Sequence, residues 1–432
     1  HIVASTGELQ NMMEVLTKKQ IDRYKKSRSA SSPMIIISQD DAIINEKSRS
    51  KKVKTWRYKA KNVRDFAFTS SRKFIWDAMG VKLGDRTVMA MSYYPKEANP
   101  LYERYSTRAV AHTLNVYSKY TFDYPYPVAI SVEAANGMEY PMICFNYGRP
   151  QKDGTYSERI KYGMISVIIH EVGHNYFPMI VNSDERQWTW MDEGLNSYLQ
   201  FLAEQEWDRD YPSRRGPAKN IVNYMKSDKK NLMPIMTNSE SIYQFGNNAY
   251  GKPATALNIL RETIVGRALF DFAFKEYSKT WMFKHPTPSD FFRILENASA
   301  VDLDWFWRGW FYSTDPVDIS IDEVKWYTLD TRNPEIEFPL KKLDEENEPT
   351  QSWEEKNRIE IQETIVEIDE EANDFYNKYD PYEVTILDMD DFIKYRDSSV
   401  VEPQEKRIYN SNLNYYEICL LYTSDAADDR LR

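Results

Sequence analysis

Cysteine is scarce in this sequence of 432 residues, which contains two, Cys144 and Cys419. Two thiols cannot build a disulfide framework, and they cannot form a metal site made of thiolates. Histidine is also scarce, with five residues. A regularly spaced pair of histidines therefore stands out against the rest of the chain.

Long hydrophobic runs are absent as well. No apolar stretch approaches the roughly 20 residues that a membrane-spanning helix needs, so we expect no transmembrane segment. No secretory signal is visible, but the sequence begins at His1 in the middle of a pattern. We therefore expect it to be a fragment or a processed form.

The chain has no excess of basic residues. Its formal net charge is -10, and residues 341–400 alone carry 19 acidic and 7 basic residues, a net of -12, which leaves the remainder near neutral. Phosphate binding needs a basic face, so this balance argues against nucleic acid as a partner. We expect the acidic block to be a solvated surface, because like charges repel and stay in water.

The hydrophobic content of the sequence is sufficient for a folded core, with 42% hydrophobic and 14% aromatic residues. Its length predicts two or three domains. Strand-like stretches such as "RTVMAMSYY" and "YPVAISVEA" precede helical patterns over 158–177 and 192–207. Strands followed by helices predict an α+β fold in which a mixed sheet lies beside a mostly helical lobe.

Three regions are predicted on composition and pattern. Residues 1–60 are expected to be the end of an incomplete, β-rich N-terminal domain, and residues 61–315 a mixed domain of strands and helices. Residues 316–432 are expected to be an acidic, partly β C-terminal region. Its tail, from about residue 419, fits nothing before it.

A histidine pair lies inside the first long helical pattern, in "MISVIIHEVGHN". Helix positions i and i+4 share a face, so His170 and His174 can aim at one ion. Glu171, about 100° around the helix, can reach a water on that ion without being a ligand. Glu193 follows His174 by nineteen positions and can complete a His-His-Glu site. Three such ligands plus an open position are typical of catalytic zinc.

The spacing and the flanking "WMDEGLNSY" resemble the zinc aminopeptidases of the aminopeptidase N and leukotriene A hydrolase type, which are gluzincin metallopeptidases. The corresponding family segment is W-L-N-E-G-F-A, with Asp192 here in place of Asn and Leu195 in place of Phe. The resemblance implies a thermolysin-like catalytic domain over 61–315. It also implies one zinc ion held by His170, His174 and Glu193.

A second segment, "VEAANGMEYPMICF", resembles the G-x-M-E-N strand of the same family. In that family this edge strand pairs with the peptide substrate, and its glutamate binds the free α-amine. The resemblance implies substrate binding by Gly137, Met138 and Glu139. Asn136 and Tyr140 depart from the family pattern, where Gly and Asn stand, and they affect the expected shape of the first side-chain pocket.

A third segment, "NNAYGKPATALNIL", resembles the family's Y-E-K-G-A segment. There the tyrosine stabilises the oxyanion of the reaction. The resemblance implies this role for Tyr250, beside Glu171 as the other catalytic residue. Pro253 replaces the glycine of the family segment.

The implied function is a zinc-dependent aminopeptidase that hydrolyses the N-terminal peptide bond of oligopeptides by means of a water on zinc activated by Glu171. The implied partners are peptides with a free N-terminus. Two alternatives stay open: another zinc hydrolase on the same site, either an endopeptidase or an epoxide hydrolase, and a catalytically inactive binding relative. The resemblance favours an exported, periplasmic or cell-surface bacterial protein. Side-chain preference and oligomeric state do not follow from the sequence.

Overall fold

The computed structural model describes residues 1–47, 49–315, 324–327, 329–410 and 415–418. The tail predicted to fit poorly, from about residue 419, lies outside the described residues. The chain forms two compact units. The first comprises His1–Asp315 and Ser352–Tyr376, and the second comprises Pro316–Gln351 and Asn377–Arg432.

Twelve strands are present in the described part of the chain. They are β1 (Ile2–Ser5), β2 (Glu8–Leu9), β3 (Met34–Ile37), β4 (Tyr58–Lys59), β5 (Phe68–Ser71), β6 (Ile75–Leu83), β7 (Arg86–Tyr94), β8 (Val128–Glu133), β9 (Met138–Tyr140), β10 (Ile143–Asn146), β11 (Val324–Tyr327) and β12 (Tyr415–Ile418).

The α-helices outnumber the strands. They are α1 (Met12–Val15), α2 (Lys18–Ser27), α3 (Gln39–Lys47), α4 (Thr107–Tyr120), α5 (Glu158–Gly173), α6 (Leu195–Trp207), α7 (Val222–Met225), α8 (Lys252–Ile259), α9 (Arg267–Thr280), α10 (Pro288–Ser299), α11 (Asp304–Trp307), α12 (Pro334–Asn347), α13 (Ser352–Glu360), α14 (Ile365–Ile368), α15 (Phe375–Lys378), α16 (Ile386–Ser399) and α17 (Pro403–Tyr409).

Shorter helical turns connect these elements. Turns of the π type lie at Tyr102–Ser106, Asn175–Ile180, Trp190–Gly194, Gly246–Gly251, Leu260–Ile264 and Arg308–Tyr312. Turns of the 3₁₀ type lie at Lys96–Ala98, Ala218–Ile221, Lys229–Asn231 and Ser239–Ser241. No helix among the described residues combines the length and the hydropathy that a membrane crossing requires.

A six-stranded mixed sheet organises the first unit, with the strand order β3-β6-β7-β8-β10-β9. Strands β7, β8 and β10 run parallel, and β9 is antiparallel to β10 at the end of the sheet. Helix α4 lies against β6 and β7, and α5 packs on α4, α6 and β10. The predicted α+β class is confirmed.

Local signals explain where the helices begin. Ser157 caps α5, because its hydroxyl accepts a hydrogen bond from the backbone N–H of Ile160. Thr287 and Asp290 form a capping box at α10, with Pro288 in the first turn. These three residues are a readable signal for the start of a helix in the sequence.

Residues 1–60 contain more helix than the sequence indicated. A capping box between Thr17 and Gln20 begins α2, a signal that is readable in the sequence as T-x-x-Q. Strand β3 pairs with β6 and so joins the six-stranded sheet. The compact unit therefore extends across the boundary predicted at residue 60.

The acidic segment Ser352–Tyr376 belongs to the first unit. Most of its acidic residues are exposed, in line with the expected solvated surface, but Asp374 is buried. Arg108 pairs with Asp369 at 2.7 Å, and Lys161 pairs with Asp374 at 2.8 Å. The sequence pattern missed these contacts because the basic partners lie more than 200 residues away along the chain. The second unit contains the antiparallel pair β11–β12 and an ion pair between Lys342 and Asp380.

Candidate metal centre and active site

Helix α5 carries both histidines of the predicted site. Ile165, Ile168, Ile169 and Val172 are buried along this helix and fix it in the core. His170 lies in its last turn and His174 caps its end. Their Nε2 atoms are 3.0 Å apart, as the i, i+4 spacing predicts for two rings that converge on one point.

Glu193 approaches the same point from the π-helical turn that leads into α6. Its Oε2 atom lies 2.9 Å from Nε2 of His170 and 3.3 Å from Nε2 of His174. The structure therefore brings together the three predicted ligands.

The donor set fits zinc. A tetrahedral zinc ion with bonds of about 2.0–2.2 Å holds its ligand atoms roughly 3.3 Å apart, and here the three separations lie between 2.9 and 3.3 Å. Two imidazoles and one carboxylate leave a fourth position open, as in catalytic zinc sites. His170 and His174 would otherwise direct two ring nitrogens at each other without an intervening cation.

Outer contacts orient both rings. Nδ1 of His170 donates to Oε1 of Gln200 at 2.9 Å, and Nε2 of Gln200 donates to Glu204 at 2.7 Å. Nδ1 of His174 donates to the carbonyl of Phe177 at 2.9 Å. With the proton on Nδ1, each ring presents the lone pair of Nε2 toward the ligand point, which is the tautomer that metal binding requires.

Gln200 and Glu204 were missed by sequence reasoning. A signal was available, because Gln200 lies seven positions after Glu193 and therefore on the same helix face. Face sharing alone does not distinguish a residue that orients a ligand from a core residue.

Glu171 is buried beside the ligands. Its Oε2 atom has no hydrogen-bond partner among the described residues, so a water or substrate atom can occupy that position. Burial raises the pKa of Glu171 to about 8, and Glu139 and Glu193 add to the rise while His174 opposes it.

The pKa values of two ligand residues depart strongly from their usual range. Burial acts to raise the pKa of Glu193, but His174 and His170 outweigh it and hold this pKa well below its usual range. Burial acts to lower the pKa of His174, but Asp192 and Glu193 raise it well above its usual range. A bound dication would replace the additional proton of His174, because metal ligands must be deprotonated.

Gly137 lies against Glu171. A Cβ atom at this glycine would come within 2.5 Å of Oε1 of Glu171 and 3.1 Å of Val167. A side chain at position 137 would therefore displace the carboxylate, which gives a physical reason for glycine at this point.

Strand β9 carries Met138 and Glu139 along one side of the site. It pairs only with β10 and is the terminal strand of the described sheet. Its outer edge is therefore free to pair with an extended peptide. A carboxylate oxygen of Glu139 lies within 4.8 Å of ligand atoms of Glu171 and His174.

Tyr250 is also brought to the site. Its hydroxyl donates to Oε1 of Glu193 at 2.6 Å, and its ring stacks on His170 with centroids 5.7 Å apart. Burial and the carboxylate of Glu193 raise the pKa of Tyr250, so the phenol keeps its proton and remains a hydrogen-bond donor.

These residues line one cleft of about 550 Å³. It holds all three predicted ligands together with Glu171, Glu139, Gly137 and Tyr250. A larger open groove, of about 1210 Å³, is lined by residues near Lys96, Arg104 and Arg149 and contains none of them. The predicted site residues therefore lie in the smaller cleft.

Comparison with known proteins agrees with this geometry. Residues 105–310 match the Peptidase family M1 domain. The chain is 27% identical over 144 residues to glutamyl aminopeptidase of Sus scrofa, covering 32% of this chain and 15% of that protein. It is 26% identical over 235 residues to probable aminopeptidase 1 of Sulfurisphaera tokodaii, covering 50% of this chain and 29% of that protein.

A solved structure is similar as well. The M1 zinc metallopeptidase of Deinococcus radiodurans superposes with a TM-score of 0.43 at 20% identity, covering 55% of this chain and 51% of that one. The chain thus spans less than a third of the length of the two curated relatives and about half of the solved one.

The matched residues 105–310 include both histidines, Glu171, Glu193, Glu139 and Tyr250. The family match, the aminopeptidase relatives and the H-E-x-x-H motif agree with one another. Residues 105–310 of the chain match the Peptidase family M1 domain, and this match supports a zinc metallopeptidase of the gluzincin, aminopeptidase N type.

Proposed function

We propose that this protein is an aminopeptidase that hydrolyses the N-terminal peptide bond of oligopeptides with one zinc ion. The observation that carries the proposal is the position of Glu139. Its carboxylate lies on an open edge strand and within 4.8 Å of ligand atoms of Glu171 and His174. A carboxylate so close to the reacting groups suits a substrate whose ammonium group is adjacent to the bond that is cut.

His170, His174 and Glu193 would hold the zinc ion through Nε2, Nε2 and Oε2. When bound, zinc supplies Lewis acidity, which lowers the pKa of a coordinated water and polarises a carbonyl oxygen.

Glu171 acts as general base and then as general acid. Its unpaired Oε2 accepts a proton from the attacking water, and the water oxygen bonds to the carbonyl carbon of the first peptide bond. As the carbon–nitrogen bond breaks, Glu171 delivers that proton to the leaving amine. The buried position of Glu171 beside Gly137 keeps the carboxylate fixed for both transfers.

Tyr250 stabilises the developing negative charge. Its hydroxyl, which donates to Glu193 at 2.6 Å in this structure, would turn to the carbonyl oxygen of the substrate as that oxygen becomes an oxyanion. The ring of Tyr250 is held by its stacking on His170, so the hydroxyl has only to change its partner to serve as an oxyanion donor.

Glu139 binds the ammonium group and so selects the N-terminus. A charged amine enters a partly dry cleft at a cost unless a carboxylate pairs with it. An interior peptide bond offers no such amine. The edge of β9 would align the first residues of the substrate by backbone pairing, with Met138 and Gly137 beside it.

The test compares free-amine peptides with their N-acetylated forms, with and without a chelator. We expect the chelator to abolish hydrolysis and acetylation to make the peptides poor substrates. Breaking one side of a buried charge pair costs about 2–5 kcal/mol. Glu139→Ala should therefore lose roughly 30-fold or more in kcat/KM on free-amine peptides and little on acetylated ones.

Glu158→Ala is the matched control, because Glu158 lines the same cleft but is exposed in the first turn of α5. It should leave both peptide classes nearly unchanged. If the unmodified enzyme cleaves acetylated and free peptides equally well, the protein is an endopeptidase instead. Bound zinc without hydrolysis of any peptide would favour an inactive binding relative or an epoxide hydrolase.

A further inference from the structure

We propose that Arg215 is a binding residue for a carboxylate group of the substrate, so that the enzyme prefers peptides with a carboxylate near the first bond. This inference rests on the proposed peptidase function. The carboxylate has two possible sources, an acidic side chain near the cleaved bond and the C-terminus of a short peptide.

Arg215 lies in the loop that follows α6, and it lines the cleft of the metal site. Its guanidinium carbon is 4.2 Å from the ring centre of Tyr250. The ring of Tyr250 stacks in turn on His170. Arg215 is therefore placed one side chain away from the ligand set.

The guanidinium is poorly paired for a cation that is partly withdrawn from water. Its Nη1 donates to the hydroxyl of Ser197 at 3.2 Å. Among the described residues, no carboxylate oxygen lies within salt-bridge distance of Arg215. Arginine offers five N–H donors, so most of them remain available to a ligand in the cleft.

Two other buried or half-buried arginines of the same unit, Arg261 and Arg267, are paired with acids. Arg261 binds Asp271 at 2.7 Å and Glu262 at 2.8 Å, and Arg267 binds Glu262 at 3.0 Å. The fold thus supplies carboxylates where an arginine has a structural role. Arg215 lacks one and faces the cleft, so the partner that suits its planar fork is an incoming carboxylate.

The charges of the cleft also fit a peptide with ends of opposite sign. Glu139 clusters with Glu171 and His174, whereas Arg215 contacts Tyr250, whose ring stacks on His170. The substrate would be held by its ammonium group at Glu139 and by a carboxylate at Arg215. This arrangement would position the bond between them.

The experiment measures kcat/KM for matched peptide pairs that differ in one carboxylate. Ala-Ala-Ala is compared with its C-terminal amide, Ala-Asp-Ala-amide with Ala-Asn-Ala-amide, and Asp-Ala-amide with Asn-Ala-amide. The enzymes are the unmodified protein, Arg215→Gln and Arg215→Lys. Arg214→Gln is the control, since Arg214 is the exposed neighbour in the same cleft.

We expect the unmodified enzyme to prefer the carboxylate member of at least one pair by about 10-fold or more, as for a hydrogen-bonded charge pair. Arg215→Gln should abolish that preference, Arg215→Lys should keep part of it, and Arg214→Gln should keep all of it. The pair that shows the preference identifies the source of the carboxylate.

A second readout is independent of turnover. Calorimetry with the Glu171→Gln protein should show Ala-Ala-Ala or the preferred carboxylate peptide binding more weakly when Arg215→Gln is added, with its neutral partner nearly unaffected. If Arg215→Gln does not fold, Arg215→Lys decides, because the loss of the fork alone should reduce the preference.

The inference is overturned if no pair shows a preference, if the preference survives in Arg215→Gln, or if Arg214→Gln removes it equally. A purely structural role under Tyr250 would lower the rates for both members of every pair by the same factor. The proposed function can stand in each of these cases, because the comparison of free and acetylated peptides tests it separately.

Discussion

Two buried charged clusters of the first unit differ in how completely their polar atoms are paired. Around Lys161, whose side chain is 0% exposed, the ammonium group lies 2.8 Å from Oδ1 of Asp374. The other carboxylate oxygen accepts hydrogen bonds from Tyr105 at 2.7 Å and Tyr156 at 3.0 Å. The charged groups of this cluster are therefore paired with other groups of the protein.

The candidate active site leaves one of its buried polar atoms unpaired. Oε2 of Glu171 has no hydrogen-bond partner among the described residues, and the Nε2 atoms of His170 and His174 converge with Oε2 of Glu193 on one point. Buried polar groups in folded proteins are nearly always paired. The difference teaches that the first cluster pairs its charges within the protein, whereas the second presents donor atoms that suit a metal ion, a water and a substrate.

The largest expected effect is the loss of activity when the general base Glu171 is replaced. Glu171→Gln keeps the shape of the side chain but cannot accept the proton, so we expect kcat to fall about 100- to 10,000-fold. Zinc should stay bound, because Glu171 is not a ligand. Rates and metal content are measured on the same preparation. A metal-free or fully active Glu171→Gln protein would contradict the assignment, and Glu158→Gln serves as the control.

Breaking the cluster around Lys161 should lower the stability of the fold and not the catalytic rate. Lys161→Met leaves Asp374 buried without its cation, and we expect the free energy of unfolding to fall by about 3–5 kcal/mol. Lys119→Met is the matched control, because its pair with Glu206 is 57% exposed on the lysine side and should contribute about 0–1 kcal/mol. Chemical denaturation measures both. Equal losses in the two variants would show that the cluster around Lys161 is not special.

Tyr250 should again affect the rate. Tyr250→Phe removes one oxyanion donor and keeps the ring that stacks on His170. We expect kcat to fall roughly 100- to 1,000-fold with KM little changed. Steady-state kinetics on a free-amine peptide gives both constants. A loss carried mainly by KM would show that Tyr250 binds the ground state and has no role in the transition state.

A third buried carboxylate, Asp77, should make the stability of the fold depend on pH. It accepts hydrogen bonds from Tyr94 at 2.7 Å and from Thr107, and among the described residues no cation pairs with it. Burial raises its pKa to about 7 from 3.8, with Glu103 adding to the rise and the two hydroxyls and Arg108 opposing it. Between these values the folded state keeps a proton that the unfolded state releases, so stability falls as pH rises.

Asp77→Asn removes this titration. Relative to the unmodified protein, its free energy of unfolding should rise with pH by at most about 1.4 kcal/mol per unit across the window from about 4 to 7. Outside that window the difference should be constant. Denaturation curves at several pH values provide the measurement, and parallel pH profiles for the two proteins would refute a raised pKa at Asp77.

Much of the site was readable from the sequence. Helical spacing brings His170 and His174 together through local geometry alone, and Glu193 begins the next helix, so the ligand set needed no knowledge of the sheet. Glu139 and Tyr250 were found through resemblance to family segments. Nothing local in those two segments indicates that they meet the histidines, because the contact is made by β9 and the π-helical turn Gly246–Gly251 after folding.

Contacts between distant parts of the chain could not be predicted from the sequence. Strand β3 joins the six-stranded sheet, and Ser352–Tyr376 packs into the first unit, through contacts between distant parts of the chain. Hydrophobic periodicity reports which face of an element is buried but not its partner. For the same reason Gln200 and Arg215 were missed, since their roles depend on the ring nitrogens and the phenol that they reach in space.

The location of the metal tests the central claim most directly. X-ray diffraction from crystals of the zinc-loaded protein, collected on both sides of the zinc absorption edge, would locate the ion. The account predicts one anomalous peak about 2.0–2.2 Å from Nε2 of His170, Nε2 of His174 and Oε2 of Glu193. The absence of a peak there, or a peak bonded instead to Glu139, Glu171 and His174, the neighbouring group whose ligand atoms also lie within 4.8 Å of one another, would contradict it.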